Sequence, residues 1–209
     1  MARRFTLLPP VDPFAAVSRA CDAHRAGHGI GCIAYPISYE KALFLSALAG
    51  GAGRVLEVGT ALGYSTLWLA RGVGEAGVVD TVEWDAGHAK LARQQFEKYE
   101  EGSRVRVHVG DAREVVPALE PGYGLAFLDV EWHVHRDLWP EVGRLLRPGG
   151  FACLSNVWVT DEKDPRSGVS ERRAARDLIR RLQDDPSWSY SLVTAGSPMV
   201  VVGKRLVNG

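Results

Sequence analysis

Five short apolar runs recur along the chain, with longer amphipathic stretches between them. They are RVLEVG (54–59), GVVDTVEW (77–84), RVRVHVG (104–110), GLAFLDV (124–130) and GFACLSNV (150–157). Runs of this length, rich in Val, Phe and Leu, read as strands. The near-continuous run from Leu125 to Leu128 suits a strand buried on both faces, as in a parallel sheet covered by helices. Between the second and third runs, Ala92, Phe96 and Tyr99 fall at i, i+4 and i+7, with Lys90, Arg93 and Lys98 at polar positions, which is the helical period. SYEKALFLSALAGGAG predicts a helix that starts near Ser38 and stops in the glycines from Gly50 onward. An earlier helix is predicted from about Pro13 to Ala26.

After the fifth run the pattern changes. VTDEKDPRSGVS (159–170) is a polar loop, and ERRAARDLIRRLQ then puts Ala175, Leu178, Ile179 and Leu182 on one helical face. SWSYSLV (187–193) and PMVVVGKRL (198–206) flank TAGS, so they form a hairpin and bring in an antiparallel strand. The predicted fold is a single α/β domain: a Rossmann-like, doubly wound, seven-stranded mixed sheet with an antiparallel C-terminal strand pair. Residues 1–35 are expected to form an N-terminal helical extension.

Composition narrows the partners. Lys and Arg number 25 and so do Asp and Glu, so no excess charge points to nucleic acid or to an anionic membrane. No apolar run approaches membrane-spanning length, and the apolar stretch Phe5 to Leu8 is too short for a signal peptide. Cys21, Cys32 and Cys153 are odd in number and far apart, which gives neither a disulfide framework nor a metal-knuckle spacing. A reduced, cytoplasmic protein is expected, with Cys153 a core residue.

The candidate chemistry starts at VLEVGTALGYSTLWLA (55–70). In a doubly wound sheet the loop after the first strand lies at the switch point, where ligands bind. Gly59 and Gly63 let backbone approach a ligand closely, and the following helix offers free N–H groups. A dinucleotide fingerprint would place another glycine at position 61, where this chain has Ala61. Glu57 just before the turn suits a ligand with positive charge better than a pyrophosphate. Glu83 ends the second run where an acid can accept from ribose hydroxyls, a feature shared by nicotinamide and S-adenosylmethionine folds. With Asp111 after the third run and Asp129 ending the fourth, four successive strands deliver an acid to one sheet edge.

These motifs resemble the class I S-adenosylmethionine-dependent O-methyltransferases, in particular the catechol and caffeoyl-coenzyme A type. VLEVGTALGYSTLWLA is similar to that family's first motif, and TVEWD, VHVGDAREVVPAL, FLD and LLRPGGFACLSNV follow in the family's order, from about residue 36 to 205. The resemblance implies that Gly59, Thr60, Gly63, Tyr64 and Ser65 hold the methionine part of the cofactor above Glu57. It implies Glu83 for the ribose, Trp84 beside the adenine, and Asp111 and Ala112 at the adenine edge. It also implies a small hydroxylated acceptor and, by family habit, a homodimer.

Two departures stand out against the family pattern. The family binds a divalent metal such as Mg²⁺ through the acid ending strand 4 and an Asp-Asn pair ending strand 5. Asp129 and Asn156 match two of these ligands, but Ser155 replaces the paired Asp. The family's catalytic lysine, three residues after the first acid, is here Trp132. Glu131, His133 and His135 alternate, so an extended segment would put all three on one face and make His133 a general base; the other reading puts both histidines on the exposed start of the next helix. Asp129 would then be a metal ligand or a partner of the acceptor; the alternative is a different metal held by Asp129, Glu131 and a histidine. Arg172, Arg176 and Arg180 form a helical stripe, read as a solvated face in preference to a phosphate contact. The alternatives left open are a tRNA or nucleic-acid methyltransferase, a non-catalytic S-adenosylmethionine-binding protein and, more distantly, a nicotinamide reductase.

Overall fold

The computed structural model describes residues 11–28, 32–156 and 168–206. The helices are α1 (Ala15–His28), α2 (Tyr39–Ala49), α3 (Tyr64–Val73), α4 (Ala86–Phe96), α5 (Ala112–Val115), α6 (Trp132–Leu145) and α7 (Val169–Asp184). The strands are β1 (Arg54–Val58), β2 (Val78–Glu83), β3 (Val105–Val109), β4 (Tyr123–Leu128), β5 (Leu146–Leu154), β6 (Trp188–Ala195) and β7 (Ser197–Lys204). They form one seven-stranded sheet in the order β3-β2-β1-β4-β5-β7-β6. β1 to β5 pair in parallel, and β7 runs antiparallel between β5 and β6. The mixed sheet predicted from the sequence is therefore the one observed.

Strand alternation divides the core. Leu56 and Val58 of β1, with Ala126 and Leu128 of β4, pack toward α5, α6 and α7. Val55, Leu125 and Phe127 point the other way, toward α2 and α3. Phe14, Val17 and Cys21 of the N-terminal segment pack with Trp68 of α3 and Phe96 of α4 on that same side. β1 lies in the middle with β2 on one flank and β4 on the other, so the crevice beyond its carboxyl end is the switch point of the sheet. Glu57 shares the parity of Val55, and so do Asp129 with Phe127 and Ser155 with Cys153. All three therefore face the helices of the α2–α3 side.

A second polar feature ties four strands together away from that crevice. Asp80 of β2, only 2% exposed, accepts from Arg54 Nη2 of β1 at 3.0 Å and from Tyr123 Oη of β4 at 2.9 Å, with His108 Nε2 of β3 2.9 Å away. These partners hold its carboxyl below the ordinary value against the opposing cost of burial. Removing the acid leaves the buried Tyr123 phenol and one amino group of Arg54 without this partner, while Arg54 keeps its bonds to the Glu120 and Pro121 carbonyls. Asp80→Ala is expected to cost about 1–3 kcal/mol, read as a lower urea midpoint, with far-UV circular dichroism unchanged in the absence of urea.

Candidate functional site

The glycine turn is built by backbone geometry that few residues can adopt. Gly59 has φ +99°, and a Cβ there would lie 2.7 Å from the Asp129 carbonyl oxygen. Gly63 has φ +91°, and its Cβ would enter the Phe96 ring at 2.3 Å. Between them Ala61 is itself left-handed, with φ 47°, a conformation that costs an L-residue roughly 1–2 kcal/mol. The reward is local: the Ala61 N–H donates to Glu83 Oε2 at 2.8 Å. The Asp85 N–H holds the other oxygen at 3.0 Å, so the Glu83 carboxylate is fixed at the crevice.

Beneath the turn, Glu57 is fully buried. Ser65 Oγ donates to its Oε1 at 2.6 Å, and the hydroxyls of Thr66 and Thr81 donate to its Oε2. Thr60 Oγ1 lies 2.6 Å from Thr81 Oγ1, which extends the chain of hydroxyls into the turn. Burial pushes the Glu57 carboxyl up to about 7, and the three hydroxyls pull against that rise. Tyr64 Oη donates to Asp12 at 2.7 Å, which fastens the chain ahead of α1 across the start of α3.

The remaining cofactor candidates lie along the same edge. Trp84 is 67% exposed, a free aromatic face beside Glu83. Asp111 caps α5, and both its oxygens are engaged by Arg113, which holds its carboxyl down to about 2. Ala112 is buried behind it.

Asp129 sits in a cluster that sequence reading missed in one respect. Asn156, left-handed at φ 63°, directs its Nδ2 to Asp129 Oδ1 at 3.3 Å and to the Val130 carbonyl at 3.0 Å. The Ser155 hydroxyl also hydrogen-bonds to Asp129. That hydroxyl in turn accepts from Lys41 Nζ at 2.9 Å. Lys41, on the first turn of α2, is only 3% exposed. Burial lowers its ammonium from the ordinary value and raises Asp129, and each charge opposes the shift of the other. In the sequence Lys41 reads as an ordinary polar helix position. The signal that could have found it is the Ser at 155, which leaves this corner one negative charge short.

The alternation of Glu131, His133 and His135 does not describe an extended segment. Glu131 is the N-cap of α6, and the helix runs from Trp132. Short alternating runs also satisfy part of a helical pattern, so the period alone misled. His133 Nδ1 lies 2.6 Å from Glu171 Oε1 on α7. His135 is on the inner face of the helix, fully buried against Trp132, and is not exposed as the helical alternative expected. Trp132 is buried too, and its indole N–H donates to the Asn156 carbonyl at 2.8 Å. Arg176 and Arg180 are exposed on α7, in keeping with a solvated face. The loop predicted over 159–170 falls mostly outside the described residues.

A family model described as O-methyltransferase matches residues 30–205. The catechol O-methyltransferase of Mycobacterium tuberculosis is 37% identical over 144 residues, spanning 66% of this chain and 66% of that protein. The crystal structure of a cofactor-bound protein from MTB is similar with a TM-score of 0.80 at 29% identity, over 97% of this chain and 94% of that one. The O-methyltransferase of tomaymycin synthesis from Streptomyces achromogenes, solved in complex with SAM, shares the fold at a TM-score of 0.78 and 24% identity, over 96% of this chain and 93% of that one.

His135 gives the site a pH signature. Burial pulls its pKa from 6.5 down to about 3, so the folded chain keeps it neutral where the unfolded chain binds a proton. Its contribution to stability is present above pH 6.5 and is lost as pH falls toward 3, by about 1.4 kcal/mol per pH unit. Urea unfolding across this window should show a shallower pH slope in His135→Phe than in wild type. Equal slopes would contradict the neutral, buried imidazole.

Proposed function

The chain belongs to the O-methyltransferase family, and on that premise we propose that it methylates a hydroxyl group of a small molecule, with S-adenosylmethionine as donor. The observation that carries the reading is the left-handed glycine turn over a buried, hydroxyl-held Glu57, with the fixed Glu83 carboxylate and the exposed Trp84 along the same edge. Gly59, Thr60, Gly63, Tyr64 and Ser65 form the wall for the methionine part, above Glu57. Glu83 takes the ribose hydroxyls, Trp84 covers the adenine, and Asp111 and Ala112 meet its edge. The balanced charge of the chain favours a small acceptor over a nucleic acid.

The residues at Asp129 do not fit the divalent ion that the resemblance implies. Of the ligands that the resemblance implies, Asp129 is the one carboxylate, and it already accepts from Ser155 and Asn156. An ammonium, that of Lys41, stands on Ser155, the position of the missing acid. A doubly charged ion within about 4 Å of an ammonium meets repulsion on the order of 8 kcal/mol at an effective dielectric of 20. Hard divalent cations are held best by oxygens that bring several negative charges, and here the hydroxyl of Ser155 and the amide of Asn156 bring none.

Lys41 supplies the positive charge instead. Its ammonium, braced through Ser155 to Asp129, faces the acceptor oxygen and stabilises the negative charge that grows there. His133 takes the acceptor's proton: Glu171 holds Nδ1, which leaves the Nε2 lone pair available. The acceptor oxygen attacks the methyl carbon in line, the S–CH₃ bond breaks, and neutral S-adenosylhomocysteine leaves. The chain's own contribution is alignment and charge placement.

The test is transfer of labelled methyl from S-adenosylmethionine to a panel of phenols, catechols and aliphatic diols, beside calorimetry with S-adenosylhomocysteine. At least one member of the panel is expected to be methylated. Glu83→Ala should weaken S-adenosylhomocysteine binding about tenfold or more. Lys41→Met should lower kcat/KM about 100-fold while leaving S-adenosylhomocysteine affinity near that of wild type. Cofactor binding with no methylation of any panel member would point to a non-catalytic binding protein, and undiminished turnover in Lys41→Met would overturn the role of the ammonium.

A further inference from the structure

A second cluster lies outside the methyl-transfer site, where α1 approaches the start of α4. His24 and His28 are one turn apart on α1, and Cys32 follows at the same spacing, so the sequence reads His-x₃-His-x₃-Cys. The fold brings His88 of α4 to this segment. One ligand atom each from His24, Cys32 and His88 lies within 4.8 Å of the others. The His24 ring stacks on His28 with centroids 4.0 Å apart, and it meets the His88 ring edge-on at 5.1 Å. Cys32 is buried beneath, 8% exposed, and a surface hollow lined by His24, His28, Asp85 and His88 opens over the group.

Three imidazoles crowded together have little reason to gather for packing alone. Burial, then the neighbouring His28 and His88, hold the pKa of His24 below its ordinary value. The helix start fixes the backbone of His88, whose backbone N–H donates to the Asp85 cap at 2.8 Å, and its ring Nδ1 lies 3.9 Å from Glu83 Oε1, longer than a hydrogen bond but near a carboxylate that could orient a ligating imidazole. Ligands at usual zinc bond lengths in a tetrahedral site sit about 3.5 Å apart. Side-chain adjustment of about an ångström would close the cluster onto an ion.

We propose that His24, Cys32 and His88 form a binding site for a borderline-soft divalent metal, Zn²⁺ or a chemically similar ion, with solvent in the fourth position next to His28. Two imidazoles and a thiolate select zinc or cobalt over Mg²⁺ and Ca²⁺, which prefer oxygen. The bound ion clasps α1 and the segment at Cys32 to the start of α4. Because His88 also neighbours Glu83, the clasp steadies the ribose side of the cofactor crevice; this consequence rests on the proposed role of Glu83. The metal binding itself does not.

The test is titration of metal-stripped, full-length protein with Co²⁺, read by optical absorption, and with Zn²⁺, read by thermal unfolding. The expected result is one Co²⁺ per chain with a thiolate-to-cobalt charge-transfer band, absent in Cys32→Ser and weakened at least tenfold in His88→Ala. Zn²⁺ should raise the Tm of wild type and leave that of Cys32→Ser unchanged. No thiolate band in wild type, or an equal band in Cys32→Ser, would overturn the proposal. S-adenosylhomocysteine calorimetry on zinc-loaded wild type reports separately on the proposed cofactor site, since no binding there beside an intact thiolate band would count against that reading alone.

Discussion

A lysine ammonium buried at the end of a parallel sheet must be matched by charge or surrender its proton. Lys41 is matched through one hydroxyl, with Ser155 accepting from its Nζ and bonding on to Asp129. That constraint organises the corner of the crevice where the acceptor should lie. It fixes the first turn of α2 against the ends of β4 and β5, and it commits the Asp129 carboxylate to an internal partner. It also makes the replacement at Ser155 intelligible. A second carboxylate there would favour a bound cation, and a hydroxyl there favours a covalently attached one.

The other side of the crevice obeys a related rule. Among the described residues, the hydrogen bonds to buried Glu57 come from three hydroxyls, which share its charge, and burial still raises its pKa to about 7. A sulfonium or ammonium group brought by a ligand would complete that balance. On the proposed assignment the two halves of the crevice differ in kind: the cofactor half awaits a cation, and the acceptor half already contains one.

Much of the fold could be read from the chain because the signals were local. The β-rich runs, the glycine stop after α2 and the TAGS hairpin each reside within a few residues, and the mixed seven-stranded sheet with its antiparallel β6–β7 pair was read from them; the order of its strands was not. The acids Glu57, Glu83 and Asp129 were legible for the same reason, since each lies within one residue of a strand's end. What escaped were pairings between distant positions. Lys41 meets Ser155 across 114 residues, and Cys32 meets His88 only once α1 and α4 pack. The histidines of α6 failed differently: alternation over five residues could not distinguish an edge from a helix whose inner face buries His135.

The measurement that tests the central claim most directly is electron paramagnetic resonance of Mn²⁺ added to protein saturated with S-adenosylhomocysteine, in wild type and in the Lys41→Met/Ser155→Asp double variant. If the ammonium of Lys41 stands where relatives of this kind would bind a divalent ion, wild type leaves the free-Mn²⁺ spectrum unchanged and the double variant captures the ion. Mn²⁺ bound by wild type and released by Asp129→Ala would contradict the account and return the site to metal-dependent chemistry.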